Sequence, residues 1–331
     1  MKKYNVAVVG ATGLVGSTFL KLLWEYQFPI ENLTLFASER SAGKKVMFGG
    51  KEYTIQKLEK GCFDGIEIAL FSAGGSVSLE WAPEAEKSGA VVIDNSSAWR
   101  MAKDCALIVP EINLSHFDSA RKIVANPNCS TIQSVLPLKP IDDAFGIKRV
   151  VYSTYQAVSG SGMKGKNDLQ RTLNGEEPEF YPYNIAQTCI PQIDVFADDN
   201  YTKEELKMVN ETRKILGKPD LKVSATCVRV PVMNAHAVSV MVELEKPFTL
   251  EEVRKAFESQ DGIVVLDEPQ KSIYPVSTVA NDNDAVYVGR IRKDLSCDNG
   301  LLFYCVSDNI RKGAAANAIQ IAKALIKAGK I

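Results

Sequence analysis

Cys129 is the residue whose type and position most strongly suggest chemistry. It stands in IVANPNCSTIQSVL, residues 123–136, between Asn-Pro-Asn and a Ser-Thr pair, just before an apolar run with helical character. The N-terminus of a helix lowers the pKa of a thiol and so favours the nucleophilic thiolate. A small cysteine packed in a core is the other interpretation, and these residues alone do not decide between the two.

A glycine-rich segment near the start of the chain suggests a second function. VAVVGATGLVGSTFL places three glycines, three residues apart, between a predicted strand and a predicted helix. Glycines let the backbone approach a pyrophosphate, which then rests on the N-terminus of the helix. A tight strand-to-helix turn without a ligand is the alternative. The segment predicts a dinucleotide site formed by Gly10, Thr12, Gly13, Leu14 and Val15.

The end of the second predicted strand bears on which dinucleotide is bound. NAD sites place Asp or Glu there for the ribose 2′-hydroxyl. Here the strand runs into LFASERSAGKK, where hydroxyl side chains flank a guanidinium. That combination suits a 2′-phosphate and favours NADP, held by Ser38, Arg40 and Ser41. Glu39 argues against this interpretation, and a solvated polar turn is the alternative.

A nicotinamide cofactor changes the interpretation of Cys129. A thiolate forms thioesters, and a thioester can accept a hydride. The thiol and the glycine-rich segment therefore fit one reaction, in which an acyl group is held on Cys129 and reduced or oxidised.

Composition excludes several other classes of protein. The net charge is −1, so no basic surface for nucleic acid or anionic membranes is expected. No window approaches the roughly 18–20 apolar residues of a membrane span. The seven cysteines are scattered without a C-x-x-C pair, which argues against disulfides or structural zinc and for a reducing cytoplasm. His116 and His236 are the only histidines, so no metal site is expected.

The 331 residues predict about two domains that position these groups. Over residues 1–128, strands alternate with helices, which predicts a Rossmann-type α/β domain with a parallel sheet. Residues 129–309 contain longer strands and fewer helices, which predicts an α+β catalytic and dimerisation domain with a mostly antiparallel or mixed sheet. The last segment, 310–331, reads as a helix that packs back on the first domain.

Seven motifs, taken together, resemble the aspartate-semialdehyde dehydrogenases from end to end. They are GATGLVG, SSAWR, NPNCSTIQ, QAVSGSG, RVPVMNAH, VGRIRKD and DNIRKGAAANAIQIA, in that family's order and spacing. NPNCSTIQ with a downstream RVPV and histidine is the most specific part. One departure is Trp99 before Arg100, where the family usually has Phe.

The resemblance implies the catalytic roles. Cys129 matches the acyl-enzyme nucleophile, Gln156 the glutamine that orients the substrate, and His236 the general acid/base. By residue type alone, Gln156 would be an ordinary polar strand residue. His236 would be a core histidine, because it begins an apolar face. Pro231 predicts a bend before His236 rather than one continuous central strand.

The same resemblance implies the binding residues. Arg229 matches an arginine that binds the substrate carboxylate. Glu204 matches a carboxylate that binds the substrate amino group. Arg100 and Lys207 match phosphate ligands. Glu204 and Lys207 are three apart and share a face of the predicted helix, so a solvated face is the alternative. Asn128 completes the substrate set, and the remaining predicted cofactor contacts are Ser72, Gly74, Ser159, Gly160 and Asn309.

The implied reaction is the NADPH-dependent reduction of 4-phospho-L-aspartate to L-aspartate 4-semialdehyde with release of phosphate, which would serve lysine, threonine and methionine synthesis. Two alternatives are an acyl-phosphate or acyl-CoA reductase for a different acid and a paralogue without activity. The resemblance also implies a homodimer or homotetramer.

Overall fold

The computed structural model describes residues 2–331. Its strands are β1 Tyr4–Val9, β2 Ile30–Phe36, β3 Lys45–Phe48, β4 Lys51–Thr54, β5 Ile68–Phe71, β6 Val91–Asp94, β7 Ala106–Leu107, β8 Ile123–Ala125, β9 Ile147–Gln156, β10 Lys222–Arg229, β11 His236–Leu244, β12 Ile263–Val265, β13 Val286–Lys293 and β14 Gly300–Ser307. Its helices are α1 Leu14–Glu25, α2 Gly75–Lys87, α3 Pro110–Asn113, α4 Cys129–Phe145, α5 Gly162–Leu173, α6 Lys203–Leu216, α7 Leu250–Glu258, α8 Ser277–Ala280 and α9 Ala316–Lys327.

The described residues form two compact units, one of residues 2–127 with 314–331 and the other of residues 128–313. The first unit contains a six-stranded sheet in the order β2-β1-β5-β6-β8-β7, and every pair in it is parallel. The central strands β5 and β6 are buried along their whole length, as a sheet covered on both faces requires. The predicted parallel sheet is confirmed.

Helix α9 belongs to the core of this first unit. Its apolar face, which includes Ile319, Ile321 and Leu325, is buried in the same cluster as the strands and α1. A π-helical turn, Arg311–Ala315, precedes α9. Ile310, assigned to this helix from the sequence, lies just before the turn and is partly exposed.

A small antiparallel hairpin, β3-β4, is an addition that the sequence pattern did not predict. Its turn is Gly49-Gly50, and both residues have positive φ. A Cβ on Gly49 would stand 2.6 Å from the ring of Trp24, so the hairpin lies against that side chain. Trp24 belongs to α1, but its side chain is 62% exposed and flanks the hairpin.

The second unit is built on a mixed six-stranded sheet in the order β10-β9-β11-β14-β13-β12. The pairs β10-β9 and β12-β13 are parallel, and the other three are antiparallel. The mixed sheet predicted for this half is confirmed. Helix α4 packs on one face of β9, β11 and β14, and the buried side chains of β11 alternate along that face.

Candidate active site

Cys129 is the first residue of α4, and Asn128 is its N-cap. The Asn128 Oδ1 accepts hydrogen bonds from the main-chain N–H groups of Ser130 at 3.0 Å and Thr131 at 3.2 Å. An N-cap of this kind satisfies donors that the helix itself leaves unpaired. The cap therefore fixes where the helix begins and places the partly buried thiol of Cys129 at its positive end.

Glu204 forms the centre of a buried polar network beside this helix start. Its Oε1 accepts from Asn128 Nδ2 at 2.8 Å and from Gln156 Nε2 at 3.1 Å. Its Oε2 accepts from Lys207 Nζ at 3.1 Å. Burial opposes the charge of this carboxylate, but Lys207 and the two amides outweigh burial and lower its pKa from the ordinary value. Glu204 is thus held as an anion.

Lys207 is half-buried between two carboxylates. Its ammonium contacts Glu204 and, at 2.8 Å, the Oδ2 of Asp194. Burial disfavours the charge, yet the two carboxylates raise the pKa of Lys207 above its ordinary value. The structure thus brings Glu204 and Lys207 together on one face of α6, as their spacing predicted.

Glu211 is a buried residue that the sequence analysis missed. It lies one helical turn after Lys207 on the same face of α6. Its Oε2 accepts a hydrogen bond from the main-chain N–H of Asn128 at 2.7 Å. Glu204 and Glu211 are seven apart, which is two helical turns, and both are buried acids. The seven-residue spacing of two acids on a predicted amphipathic helix was the one feature of the sequence that could have indicated Glu211. Together they hold both the side chain and the main chain of the N-cap.

The main chain of Ala157 orients two predicted site residues at once. Its N–H donates to Nδ1 of His236 at 3.0 Å, and its carbonyl oxygen accepts from Nη1 of Arg229 at 2.7 Å. Ala157 directly follows Gln156, the last residue of β9. One peptide segment thus fixes the guanidinium and the imidazole next to the predicted substrate-orienting amide.

Gly160 lies against the same two side chains. A Cβ at position 160 would stand 2.8 Å from Arg229 Nη1 and 3.1 Å from His236 Nε2. Arg229 ends β10 and His236 begins β11, so the predicted bend between them is present. The bend passes through Ala235, which has a φ of 69°. The two side chains therefore meet at one place although they belong to different strands.

His236 is fully buried and has one free ring nitrogen. Its Nδ1 accepts a hydrogen bond, while its Nε2 has no hydrogen-bond partner among residues 2–331. Burial, together with the nearby charge of Arg229, lowers the pKa of His236 well below 6.5. The ring is therefore neutral at physiological pH.

Asn309 connects the bend to the loop after β9. Its Oδ1 accepts from Ser159 Oγ and from the main-chain N–H of Ala235, each at 3.0 Å. Its buried Nδ2 has no partner in the described part of the chain. An unpaired buried donor costs free energy, so it fits a position that faces a ligand. Ser159, Gly160 and Asn309 are brought together as expected of neighbouring cofactor contacts.

The glycine-rich segment of the first unit has the geometry of a phosphate cradle. Gly10 has a φ of 88°, and a Cβ there would stand 2.3 Å from the carbonyl oxygen of Ser72. A Cβ on Gly16 would stand 2.0 Å from the carbonyl oxygen of Gly10. Helix α1 begins at Leu14, and no side chain caps it at Gly13. The main-chain N–H groups of this helix start therefore suit a pyrophosphate.

The other predicted cofactor residues follow β2 and β5, the two strands that flank β1 in this sheet. Ser38, Arg40 and Ser41 belong to a short 3₁₀ turn just after β2, and the first two are exposed. Gly74 precedes α2 with a φ of 91°, and no atom lies within 4 Å of a Cβ built there. The exposed guanidinium of Arg40 and the nearby hydroxyls of Ser38 and Ser41 fit a 2′-phosphate, so the residues present fit an NADP-type cofactor.

Arg100 is held in the first unit by main-chain carbonyls. Its Nε donates to Asn126 at 2.9 Å and its Nη2 to Asn95 at 3.0 Å. The Asn126 Nδ2 in turn donates to the Asn95 Oδ1 at 2.7 Å, which ties the two carbonyl-bearing residues together. The arginine is buried and rigidly placed, which suits a charge that must meet an anion in one orientation.

Residues 2–331 contain no group of three or more His, Cys, Asp or Glu side chains arranged to hold a metal ion. Over the same residues, no helix combines the length and the apolar character that crossing a membrane needs.

Two family models match the chain. Residues 5–120 match "Semialdehyde dehydrogenase, NAD binding domain", and residues 138–312 match "Semialdehyde dehydrogenase, dimerisation domain". Among solved structures, one described as aspartate semialdehyde dehydrogenase II complexed with ASA from Vibrio cholerae aligns at a TM-score of 0.94. It is 46% identical, and the match covers 99% of each chain. A Candida albicans enzyme with NADP aligns at a TM-score of 0.80 and 26% identity over 100% of each chain.

Curated relatives agree over the full length. The Aquifex aeolicus aspartate-semialdehyde dehydrogenase is 54% identical over 99% of both chains. The Bacillus subtilis enzyme of the same name is 49% identical over 98% of this chain and 97% of its own. The chain therefore belongs to the aspartate-semialdehyde dehydrogenase family.

Proposed function

We propose that this protein catalyses the NADPH-dependent reduction of 4-phospho-L-aspartate to L-aspartate 4-semialdehyde, with release of phosphate, and the reverse reaction. The supporting observation is the full-length similarity to enzymes of that name, one of them solved with ASA. The product would serve as a precursor for the synthesis of lysine, threonine and methionine. The reaction requires a free thiol, so we place it in the cytoplasm.

The charges of the proposed site correspond to those of the substrate. The carboxylate of an aspartyl group would bind the guanidinium of Arg229 in a bidentate fork. Its ammonium would bind Glu204, which the network around it holds as an anion. In this proposal Asn128 supports that contact through its bond to Glu204, and Gln156 orients the reacting acyl group.

The phosphate would be bound by two cations. Arg100 offers a guanidinium fixed by two main-chain carbonyls, and Lys207 offers an ammonium whose raised pKa keeps it charged. Lys207 also forms an ion pair with Glu204. The group proposed to bind the substrate ammonium and one of those proposed to bind the phosphate are therefore electrostatically linked. A generic aldehyde dehydrogenase would not need a cation pair for phosphate.

Cys129 is the proposed nucleophile. Its thiolate attacks the acyl carbon, the bond from that carbon to the phosphate oxygen breaks, and a thioester forms on Sγ. The bound cofactor supplies the hydride that reduces the thioester carbon. The oxygen on that carbon becomes negatively charged, and in this proposal His236 acts on it as the general acid/base. The carbonyl then re-forms and expels the Cys129 thiolate, which releases the aldehyde.

The cofactor would be held mainly by the first unit, which we propose spans residues 1–128 with the segment 310–331, while residues 129–309 carry catalysis. The pyrophosphate would rest on the start of α1, and Arg40 with Ser38 and Ser41 would bind a 2′-phosphate. These contacts favour NADP over NAD. The set is completed by Thr12, Val15, Ser72, Gly74, Ser159, Gly160 and Asn309.

We further propose a homodimer formed through the open face of the mixed sheet, or a homotetramer made of two such dimers. On this face, opposite α4, the side chains of Tyr155, Met241 and Tyr304 are partly or largely exposed. The rings of Tyr155 and Tyr304 are 6.2 Å apart and pack against each other on this face. It lies within the segment that matches the dimerisation domain.

The decisive experiment measures phosphate-dependent NADPH formation from L-aspartate 4-semialdehyde. Wild type should turn the aldehyde over, and Cys129→Ser should lose the activity. Cys297→Ser is the matched control, because that cysteine lies in the turn between β13 and β14, at the opposite end of β11 and β14 from His236. Normal activity of Cys129→Ser would contradict the mechanism. No turnover by wild type would contradict the substrate.

A further inference from the structure

We propose that Thr154 is a positioning residue of the active site, because its hydroxyl holds the side-chain amide of Gln156 in one orientation. In that orientation the amide oxygen is engaged, and one N–H of Nε2 is left for an oxygen of the substrate. The inference rests on the proposed function, in which Gln156 orients the reacting acyl group, and deepens it. By residue type alone Thr154, in STYQAVSG, would be an ordinary strand residue.

Thr154 and Gln156 lie on the same face of β9. Residues two apart along a strand point to the same side, and both of these side chains are buried. The Oγ1 of Thr154 donates a hydrogen bond to the Oε1 of Gln156 at 3.0 Å. A buried hydroxyl needs a hydrogen-bond partner, and here that partner is the amide oxygen. Only the hydroxyl makes this contact, since a valine would fit the strand equally well without it.

Glu204 determines which end of the amide faces which neighbour. An ionised carboxylate only accepts hydrogen bonds, and the Oε1 of Glu204 lies 3.1 Å from Nε2 of Gln156. The flipped amide would bring two oxygens together at this point, so the nitrogen must face Glu204 and the oxygen must face Thr154. Nε2 carries two N–H groups, and this nitrogen forms no second hydrogen bond within residues 2–331. The second N–H is therefore the one available to a substrate.

The hydroxyl of Thr154 is itself held from the neighbouring strand. Cys227 stands opposite Thr154 in the parallel pair β10-β9, and its thiol is hydrogen-bonded to the same hydroxyl. Burial raises the pKa of the Cys227 thiol, so the thiol stays protonated. It therefore does not compete with Gln156 for the hydroxyl proton, as a thiolate would. A row of three buried polar groups, from Cys227 through Thr154 to Gln156, thus leads to the carboxylate of Glu204.

Holding both ends of the amide matters for the reaction. An amide that is held at one end only can turn about its Cγ–Cδ bond, and a half turn would present an acceptor to the substrate in place of a donor. With Thr154 on the oxygen and Glu204 on the nitrogen, the amide of Gln156 is oriented before the substrate binds. Misplacement of an orienting group by about 1 Å costs up to about 10²-fold in rate, so the hydroxyl contributes to turnover although it does not touch the substrate.

Two substitutions of Thr154 separate the hydroxyl from the shape of the side chain. Thr154→Val keeps the shape and removes the donor, whereas Thr154→Ser keeps the donor. We expect Thr154→Val to lower kcat for L-aspartate 4-semialdehyde about 10- to 100-fold with little change in KM, and Thr154→Ser to retain most of the activity. The matched control is Thr212→Val, which removes a fully buried hydroxyl that is bonded to Tyr152 at 3.0 Å, outside the proposed site. Equal kcat values in Thr154→Val and Thr212→Val, or equal losses in the two Thr154 variants, would overturn the proposal.

A double-mutant cycle tests whether Thr154 acts through Gln156. Gln156→Ala removes the amide, so adding Thr154→Val to that variant should cause no further loss of kcat. A further loss as large as the one that Thr154→Val causes in wild type would show that Thr154 acts on another group, and would overturn the proposal.

Nuclear magnetic resonance tests the orientation of the amide without substrate or cofactor. Side-chain ¹⁵N labelling of glutamine, with Gln156→Ala to assign the signals, follows the two Nε2 protons of Gln156. We expect the proton bonded to Glu204 to exchange with water about ten-fold more slowly in wild type and Thr154→Ser than in Thr154→Val, because an amide held at one end opens more often. Equal exchange in the three proteins would overturn the proposal. The measurement needs no substrate, so its outcome is independent of whether the protein turns over the aldehyde.

Discussion

Gly313 lies directly against Cys129. A Cβ at position 313 would stand 2.8 Å from the Cβ of Cys129, which is closer than real structures tolerate, and 3.2 Å from its Cα. Gly313 belongs to the π-helical turn before α9, and its N–H donates to the carbonyl of Asp308 at 2.9 Å. Turns of this kind are frequent at functional sites. Here the turn brings a residue without a side chain against the proposed nucleophile.

Gly313→Ala should therefore displace Cys129. We expect at least a roughly ten-fold fall in kcat, because displacements of about 1 Å at a reacting group cost up to 10²-fold. The rate at which the Cys129 thiol reacts with a neutral thiol reagent should change in parallel. The matched control is Ala316→Gly, which weakens the helix that follows by about 1 kcal/mol but adds no atom beside Cys129. Equal activity of Gly313→Ala and wild type would show that the helix start can shift at no cost.

Glu204→Gln should reduce stability in a pH-dependent way. The pKa of Glu204 is lowered in the folded protein, so its contribution is present above the pKa of the unfolded chain, about 4.3, and is lost below it. We expect the variant to lose about 1–3 kcal/mol of unfolding free energy at pH 7, and less at pH 4. Urea denaturation at both values measures this. Glu258→Gln, at an exposed site, should change it by less than about 0.5 kcal/mol, and a pH-independent loss in Glu204→Gln would contradict the prediction.

Arg40→Ala should weaken the preference for NADPH. The guanidinium is proposed to pair with the 2′-phosphate, and charged hydrogen bonds of this kind contribute about 1.5–3 kcal/mol. We expect KM for NADPH to rise roughly ten- to a hundred-fold while KM for NADH stays constant. Steady-state kinetics with both cofactors measure the ratio. Glu39→Gln is the neighbouring control, and equal effects of Arg40→Ala on the two cofactors would place the 2′-phosphate elsewhere.

His236 should make stability fall as the solution becomes acidic. Its folded-state pKa lies well below 6.5, so below that pH the unfolded chain binds a proton that the folded protein does not. One such proton lowers the free energy of unfolding by up to about 1.4 kcal/mol per pH unit. We expect the decrease between pH 7 and pH 5 to be smaller in His236→Gln than in wild type. His116→Gln should keep the wild-type slope, and an unchanged slope in His236→Gln would show that the folded ring accepts a proton.

The main elements of the fold were predictable because their signals are local. Buried parallel strands are continuous apolar runs, and VAVV and IALF are indeed buried throughout or nearly so. The hairpin β3-β4 was missed although it contains a Gly-Gly turn, since its strands are short and half-exposed and have no apolar alternation. The π-helical turn was missed for another reason. A helix and a π-helical turn bury the same residue types, so KGAAANA reads as one continuous helix.

The proposed site also has a part that could be predicted from the sequence and a part that could not. Cys129, Gln156, Arg229 and His236 carry their chemistry in side chains, so their types and order were visible in the sequence, and their roles stay predictions. The contacts that orient them were not visible. Ala157 acts only through its main-chain N–H and carbonyl, which every residue except proline possesses. Glu211 bonds to a main-chain N–H 83 residues away in sequence, and no local pattern indicates that distance.

The dual bond of Ala157 has a consequence for how this region can vary among relatives. A substitution at 157 changes neither bond, so long as the new residue keeps its N–H and fits a fully buried position. An insertion or deletion of one residue between Gln156 and Gly160 would move donor and acceptor together and release Arg229 and His236 at once. The length of this loop is therefore more tightly constrained than the identities of its residues. Divergent relatives with altered residues but the same length should retain the arrangement, and those with a changed length should not.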